Sequence, residues 1–116
     1  MARRYDTNDA TDRTTGLREA ASAVRRGELV VLPTDTVYGI GADAFSSEAV
    51  ADLLDAKGRG RNMPTPVLIG SPNTLHGLVT DFSELAWELV DAFWPGALTI
   101  VAKHQPSLQW DLGDTR

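Results

Sequence analysis

The chain has no cysteine, so neither a disulfide framework nor a thiolate nucleophile or metal site is open to it. No apolar run approaches the length that spans a bilayer, and the N-terminus carries no signal-like hydrophobic segment. Together these absences predict a cytoplasmic protein with no membrane association. Histidine is scarce, with only His76 and His104. Neither has a second candidate ligand nearby, so His76 is expected to be a packing or surface residue. Gly-x-Ser-x-Gly is missing, as is any His/Asp/Glu cluster at metal-ligand spacing. Covalent catalysis and a protein-built metal centre are therefore not expected, which leaves positioning and electrostatics.

Acidic residues are missing from one place. The whole chain carries 11 Lys and Arg against 16 Asp and Glu, a net charge of −5. Yet Ala56 to Thr80 contains no acid, while Lys57, Arg59 and Arg61 fall close together. Net acidity argues against broad nucleic-acid binding, and the local cluster suits a compact anion better than a polyanion. On residue chemistry alone, the cluster reads first as a solvated patch at a helix C-terminus.

The most informative stretch is Leu29 to Asp43. Leu29-Val30-Val31-Leu32 predicts a buried strand, and Pro33 removes a backbone donor where the ladder should stop. Thr34, Asp35, Thr36 and Tyr38 then place three hydroxyls and a carboxylate at one spot. Gly39 and Gly41 leave the backbone open to close approach. Pattern alone allows a plainer account, a strand, a Pro-Thr-Asp turn and a second strand containing two glycines.

At 116 residues the chain is at most one domain, and 42% hydrophobic with 23% charged residues is a globular composition. Residues 1–13 are polar and aperiodic, which predicts a flexible extension. A helix capped by Thr14 or Thr15 should run to about Arg26, with Leu17, Ala20, Ala21 and Val24 inward and Gly27 as its stop. Ser46 should cap a second helix with Val50, Leu53 and Leu54 inward, Lys57 at the end of that stripe and Gly58 as terminator. Residues 62–66 read as an extended crossing loop, and Val67-Leu68-Ile69 as a short buried strand. Ser71-Pro72 should open a short helix to about Leu78. Ser83 should cap another, with Leu85, Leu89 and Phe93 inward and a break at Trp94-Pro95-Gly96. Trp87 and Trp94 are expected in the core or a cleft wall. Ala97 to Ala102 reads as a strand, and His104 onward as a polar loop. Alternating helices and strands predict an α/β (α+β) fold with helices packed on a sheet.

Pro33-Thr34-Asp35-Thr36-Val37-Tyr38-Gly39-Ile40-Gly41, followed by Lys57-Gly58-Arg59, resembles the YrdC-like family of threonylcarbamoyl-AMP synthases. Trp94-Pro95-Gly96-Ala97-Leu98-Thr99 is a further phrase characteristic of it. The resemblance implies a mixed twisted sheet flanked by helices, with residues 14–116 as the N-terminal part of one domain truncated at its C-terminal end. It also implies a two-step reaction. L-threonine and bicarbonate form an N-carboxy-threonine, whose carboxylate attacks the α-phosphate of ATP and expels pyrophosphate. Threonylcarbamoyl-AMP then supplies a downstream transferase that modifies the adenosine beside the anticodon of certain tRNAs. Lys57 and Arg59 match the family's Lys-x-Arg and would offset triphosphate charge, with Arg61 and Thr36 as further ATP contacts. Mg2+ would arrive with the nucleotide. Thr34 matches the threonine-pocket position, and Tyr38 could line the same pocket. Asp35 is a weaker candidate, its side chain expected to point away.

Three departures stand out. Gly60 occupies a position where many relatives have proline, which predicts a less pre-organised loop. Thr65 to Ile69 lacks the histidine that some relatives place in this strand. The family's Ser-x-Asn segment, expected well beyond Val101, is not in the 116 residues, which predicts a fragment with an exposed sheet edge and half of a site, inactive alone. Two other readings remain open at this point. One is a non-catalytic RNA- or nucleotide-binding module with weak RNA contact, and the other is carbamoyl-adenylate chemistry in another maturation pathway.

Overall fold

The structure is a computed structural model, and it describes residues 2–63 and 65–113. The element order is α1 (Ala10–Arg25), β1 (Val30–Pro33), β2 (Tyr38–Gly41), α2 (Ser47–Ala56), a 3-10 turn at Pro72–Thr74, α3 (Leu75–Leu78), β3 (Val79–Thr80), α4 (Glu84–Phe93) and β4 (Lys103–His104). The strands form two separate antiparallel pairs, β1 with β2 and β3 with β4. The fold is thus α/β with small antiparallel sheets, and the single mixed sheet expected from sequence is not what the described residues form.

The first helix starts earlier than predicted. Asp9 caps it, its carboxylate accepting from the Asp12 N–H at 2.9 Å, so the helix already includes Ala10 to Arg13. Asp is as good an N-cap as Thr, and the run of polar residues hid it. The inward stripe also shifts. Gly16 is buried, because a Cβ there would lie 2.7 Å from the Tyr5 Cβ, whereas Leu17 is 62% exposed. Gly27, at φ +80°, ends the helix as expected.

β1 and β2 make a hairpin in which Val30 faces Gly41 and Pro33 faces Tyr38. Pro33 closes the ladder, as its missing N–H requires. The strand is half buried and not buried throughout, since Val31 is 72% exposed on the open face of a two-stranded sheet. α2 follows its prediction closely. Ser46 Oγ accepts from Ala49 N–H at 3.2 Å, Glu48 sits in the first turn, and Ala49, Val50, Leu53 and Leu54 are buried. With Leu75 and Val90 they complete the buried apolar core among the described residues.

Further along, propensity and structure part. Val67-Leu68-Ile69 alternates half-buried and exposed residues but pairs with no strand among the described residues. Ala97 to Ala102 likewise forms no pair among the described residues, and it is Lys103 and His104 that reach β3, opposite Thr80 and Val79. Extended propensity becomes a strand only beside another strand. The predicted loop 62–66 includes Pro64, and the C-terminal loop includes residues 114–116, all outside the described residues.

α4 has its predicted cap, Ser83 Oγ accepting from Ala86 N–H at 3.1 Å, and it ends at Phe93 before a cis Trp94–Pro95 bond. Its predicted inward stripe is outward, however. Leu85 is 65% and Phe93 58% exposed, Leu89 lies at the exposed limit, and Val90 is the residue that is buried. His76 and Phe82 both pack on Trp87, with ring centroids 4.9 Å and 5.0 Å away, and Trp94 Nε1 donates to Leu98 O at 2.8 Å. His76 is thus an exposed residue packed on a ring, as expected, while Trp87 and Trp94 are half buried and stand outside the buried core of the described residues. Among the described residues no helix is long and apolar enough to cross a membrane.

Candidate functional site

Two loops carry the residues singled out in the sequence. The first is the hairpin turn between β1 and β2. Thr34 Oγ1 sits at its centre, accepting from the Val37 N–H at 3.1 Å and the Thr36 N–H at 3.3 Å. The same hydroxyl is paired with the Val37 carbonyl, and Thr36 Oγ1 lies 3.4 Å from it. A side-chain hydroxyl that bonds its own following backbone is the usual staple of a tight turn. Gly39 lies under this staple, its missing Cβ 3.6 Å from Thr34 Cγ2. Thr34, Asp35 and Thr36 are exposed, and Tyr38 projects with 77% exposure.

The second loop leaves the C-terminus of α2. Lys57 is the C-cap, half buried at the end of the apolar stripe. Gly58 takes φ +67°, a conformation that a side chain would strain, and turns the chain away from the helix axis. Arg59 N–H closes the helix end by donating to Leu54 O at 2.8 Å. A lysine and an arginine thus meet the negative end of a helix dipole, which stabilises them without neutralising them.

The three cations of this loop differ in what they touch. Arg61 forms a two-pronged ion pair with Asp111, Nη1 to Oδ2 at 3.0 Å and Nη2 to Oδ1 at 2.7 Å. The Arg61 guanidinium, with help from the Gly113 N–H, holds the Asp111 carboxyl below its ordinary range. Neither Lys57 nor Arg59 has a side-chain hydrogen bond or ion pair with a described residue. Arg59 and Arg61 line a shallow concavity against α2 together with Ser47, Val50, Leu54 and Asp55. Lys57 and Thr34 do not line it. A second concavity, between the start of α4 and Ile100 to Lys103, holds none of the residues predicted from sequence.

No described hydrogen bond or ion pair joins the Thr34–Tyr38 turn to Lys57 or Arg59. The structure therefore shows two prepared loops, each locally ordered. Asp111 was missed by sequence reasoning, because it lies 50 positions from Arg61 in a stretch with no periodicity to mark it. Among the described residues, no group of three or more His, Cys, Asp or Glu side chains could hold a metal ion together.

Comparison with known proteins adds a finding of a different kind. The family Sua5_yciO_yrdC, described as "Telomere recombination", matches residues 22–115. The chain is 58% identical over 114 residues to a Mycobacterium tuberculosis protein named "Putative threonylcarbamoyl-AMP synthase", covering 98% of this chain and 52% of that one. It is 40% identical over 90 residues to the threonylcarbamoyl-AMP synthase of Bacillus subtilis, covering 78% of this chain and 26% of that one. The crystal structure of P. abyssi Sua5 complexed with L-threonine superposes with a TM-score of 0.67 at 42% identity, over 69% of this chain and 24% of that one. The chain spans about half the length of the mycobacterial relative it matches.

Proposed function

The chain belongs to the Sua5/YciO/YrdC family, and from that premise we propose that it supplies the N-terminal part of an L-threonylcarbamoyladenylate synthase. The observation that carries the reading is the pair Lys57 and Arg59. Both stand at the C-terminal end of α2 beside the left-handed Gly58, without a described side-chain partner. An ammonium and a planar guanidinium in that state suit phosphate oxygens, one as a point charge and one as a fork.

In this reading the threonine nitrogen bonds to the bicarbonate carbon, a carbon–oxygen bond breaks and water leaves, and the carboxylate of the resulting N-carboxy-threonine attacks the α-phosphorus of ATP. The bond from that phosphorus to the bridging oxygen breaks, and pyrophosphate leaves with the electron pair. Lys57 and Arg59 offset the charge that accumulates on the phosphate oxygens, the chief service a protein renders in phosphoryl chemistry. Mg2+ comes with the nucleotide as part of the substrate. Thr34 and Tyr38 contact threonine, and Thr36 is a further ATP contact. The product passes to a transferase that installs N6-threonylcarbamoyladenosine in tRNA. Residues 14–116 form the N-terminal part of one domain and 1–13 an extension, and in the complete domain the two small sheets join one mixed twisted sheet.

The test is Mg-ATP binding by calorimetry, followed by threonine-dependent pyrophosphate release. Lys57→Ala and Arg59→Ala are each expected to weaken ATP binding by tenfold or more, about 1.4 kcal/mol. Unchanged affinity in both variants would remove the phosphate role. Pyrophosphate release driven by carbamoyl phosphate in place of threonine would move the assignment to carbamoyl-adenylate chemistry.

A further inference from the structure

One short segment grips α2 at both ends. Upstream of the helix, Phe45 stacks on Trp110, with ring centroids 5.6 Å apart and planes 25° from parallel. Downstream of it, Arg61 is clasped by the next residue, Asp111, through the two hydrogen bonds already described. Asp111 Oδ1 also accepts from the Gly113 N–H at 3.3 Å, which fixes the carboxylate plane. The other end of the segment is tied down too. Gln105 N–H donates to Leu78 O at 2.8 Å, and Gln105 Nε2 donates to Val79 O at 2.9 Å. Residues 105–113 therefore run from the α3–β3 junction to α2 as an anchored strap.

The described backbone bonds of the loop that the strap reaches are Gly58 N–H to Asp55 O at 2.9 Å and Arg59 N–H to Leu54 O at 2.8 Å at the helix end, and Met63 N–H to Gly60 O at 3.1 Å beyond it. Gly58 and Gly60 flank Arg59, so the backbone on either side of that guanidinium is the most permissive a chain can have. Both partners of the Arg61–Asp111 pair are about half exposed, so its contribution to overall stability is small. A two-pronged guanidinium–carboxylate contact fixes orientation more than it supplies energy.

We propose that Asp111, steadied by Trp110, is a positioning residue for the cationic loop. It takes up the Arg61 fork, fixes the Arg59-Gly60-Arg61 backbone, and so holds Lys57 and Arg59 toward a nucleotide phosphate. This assigns Arg61 a scaffolding role where the sequence suggested an ATP contact, and it rests on reading Lys57 and Arg59 as the phosphate ligands.

The test uses the 116-residue chain and timed trypsin digestion read by mass spectrometry. Cleavage after Arg59 and Arg61 reports on the loop, and cleavage after Arg18 and Arg25 in α1 serves as the internal reference. Asp111→Asn is expected to speed loop cleavage about two- to fivefold relative to the reference, the range a half-exposed ion pair supports. Asp111→Glu, which keeps the carboxylate, is expected to bring the rate back toward the original. Raising the salt concentration should shrink the difference between the original chain and Asp111→Asn. Equal loop rates in all three proteins, or acceleration that is the same in α1, would overturn the proposal. Mg-ATP is then added to each digest. Protection of the Arg59–Gly60 bond that needs more ATP in Asp111→Asn than in Asp111→Glu supports the positioning role. A loop that loosens in Asp111→Asn while ATP protects none of the proteins would overturn the phosphate reading and leave the strap's hold on the loop established.

Discussion

α2 and α4 are nearly the same helix in local terms and opposite in their surroundings. Each has ten residues, a serine N-cap bonded to the third residue on, and a glutamate in the first turn. α4 is the more apolar of the two in sequence. Yet α2 buries Ala49, Val50, Leu53 and Leu54, while α4 buries Val90 and turns Leu85, Leu89 and Phe93 outward. The difference shows that capping and periodicity specify a helix, whereas the face it buries depends on what lies opposite. α2 has the strap residue Asp111 and its own following loop beside it. α4 meets His76 and Phe82 through Trp87, and its first turn faces Ile100 to Lys103 across an open concavity.

Several substitutions can break or sharpen this contrast. The largest effect is expected from Leu53→Ala in α2, which should cost about 2–5 kcal/mol in chemical denaturation, as for other buried leucines. The caps come next, and here the two helices should behave alike. Ser46→Ala and Ser83→Ala are each expected to cost about 1 kcal/mol, because each removes one bond to an orphan N–H. A cap effect confined to α2 would mean that α4 is not a helix in solution. Leu85→Ala should stay within about 0.5 kcal/mol, since an exposed side chain loses little burial. A Leu85→Ala cost near that of Leu53→Ala would contradict the outward stripe.

The smallest effect concerns the strap. The Asp111 carboxyl titrates below its ordinary value of 3.8 because Arg61 favours its charged form. A lowered folded-state value contributes stability that is fully present above the ordinary value and fades as pH falls through the lowered one. The side-chain carbon shift of Asp111, followed by NMR, should therefore show a midpoint below 3.8, and Arg61→Ala should raise it toward that value.

These contrasts also mark what could be read from sequence. α2 was legible from Ser46 to Gly58 because cap, stripe and terminator agree with one another and with the packing. The hairpin was legible from Pro33, which can only close a ladder. The helical start at Ala10 was obscured by a run of charged residues in which Asp9 looks like any other acid. The strands expected at 67–69 and 97–102 failed for a different reason. β-branched residues favour extension, but hydrogen-bonded pairing needs a neighbour that local sequence cannot supply. The α4 stripe failed likewise, and the Arg61–Asp111 contact spans too much chain for any window to see. In the candidate site, Lys57, Arg59 and Thr34 were found by motif, while Asp111 required the fold.

The turn at Thr34 sets a condition on recognition that its hydroxyl alone would not suggest. A hydroxyl oxygen has one proton to give and two lone pairs to receive with. In the hairpin the carbonyl of Val37 takes the proton, and the N–H groups of Thr36 and Val37 occupy the lone pairs. The turn's own groups engage this oxygen before any ligand arrives. A threonine that binds through this oxygen therefore competes with the bonds the turn already makes. Its apparent affinity would then report a difference between two bonds, not the strength of one.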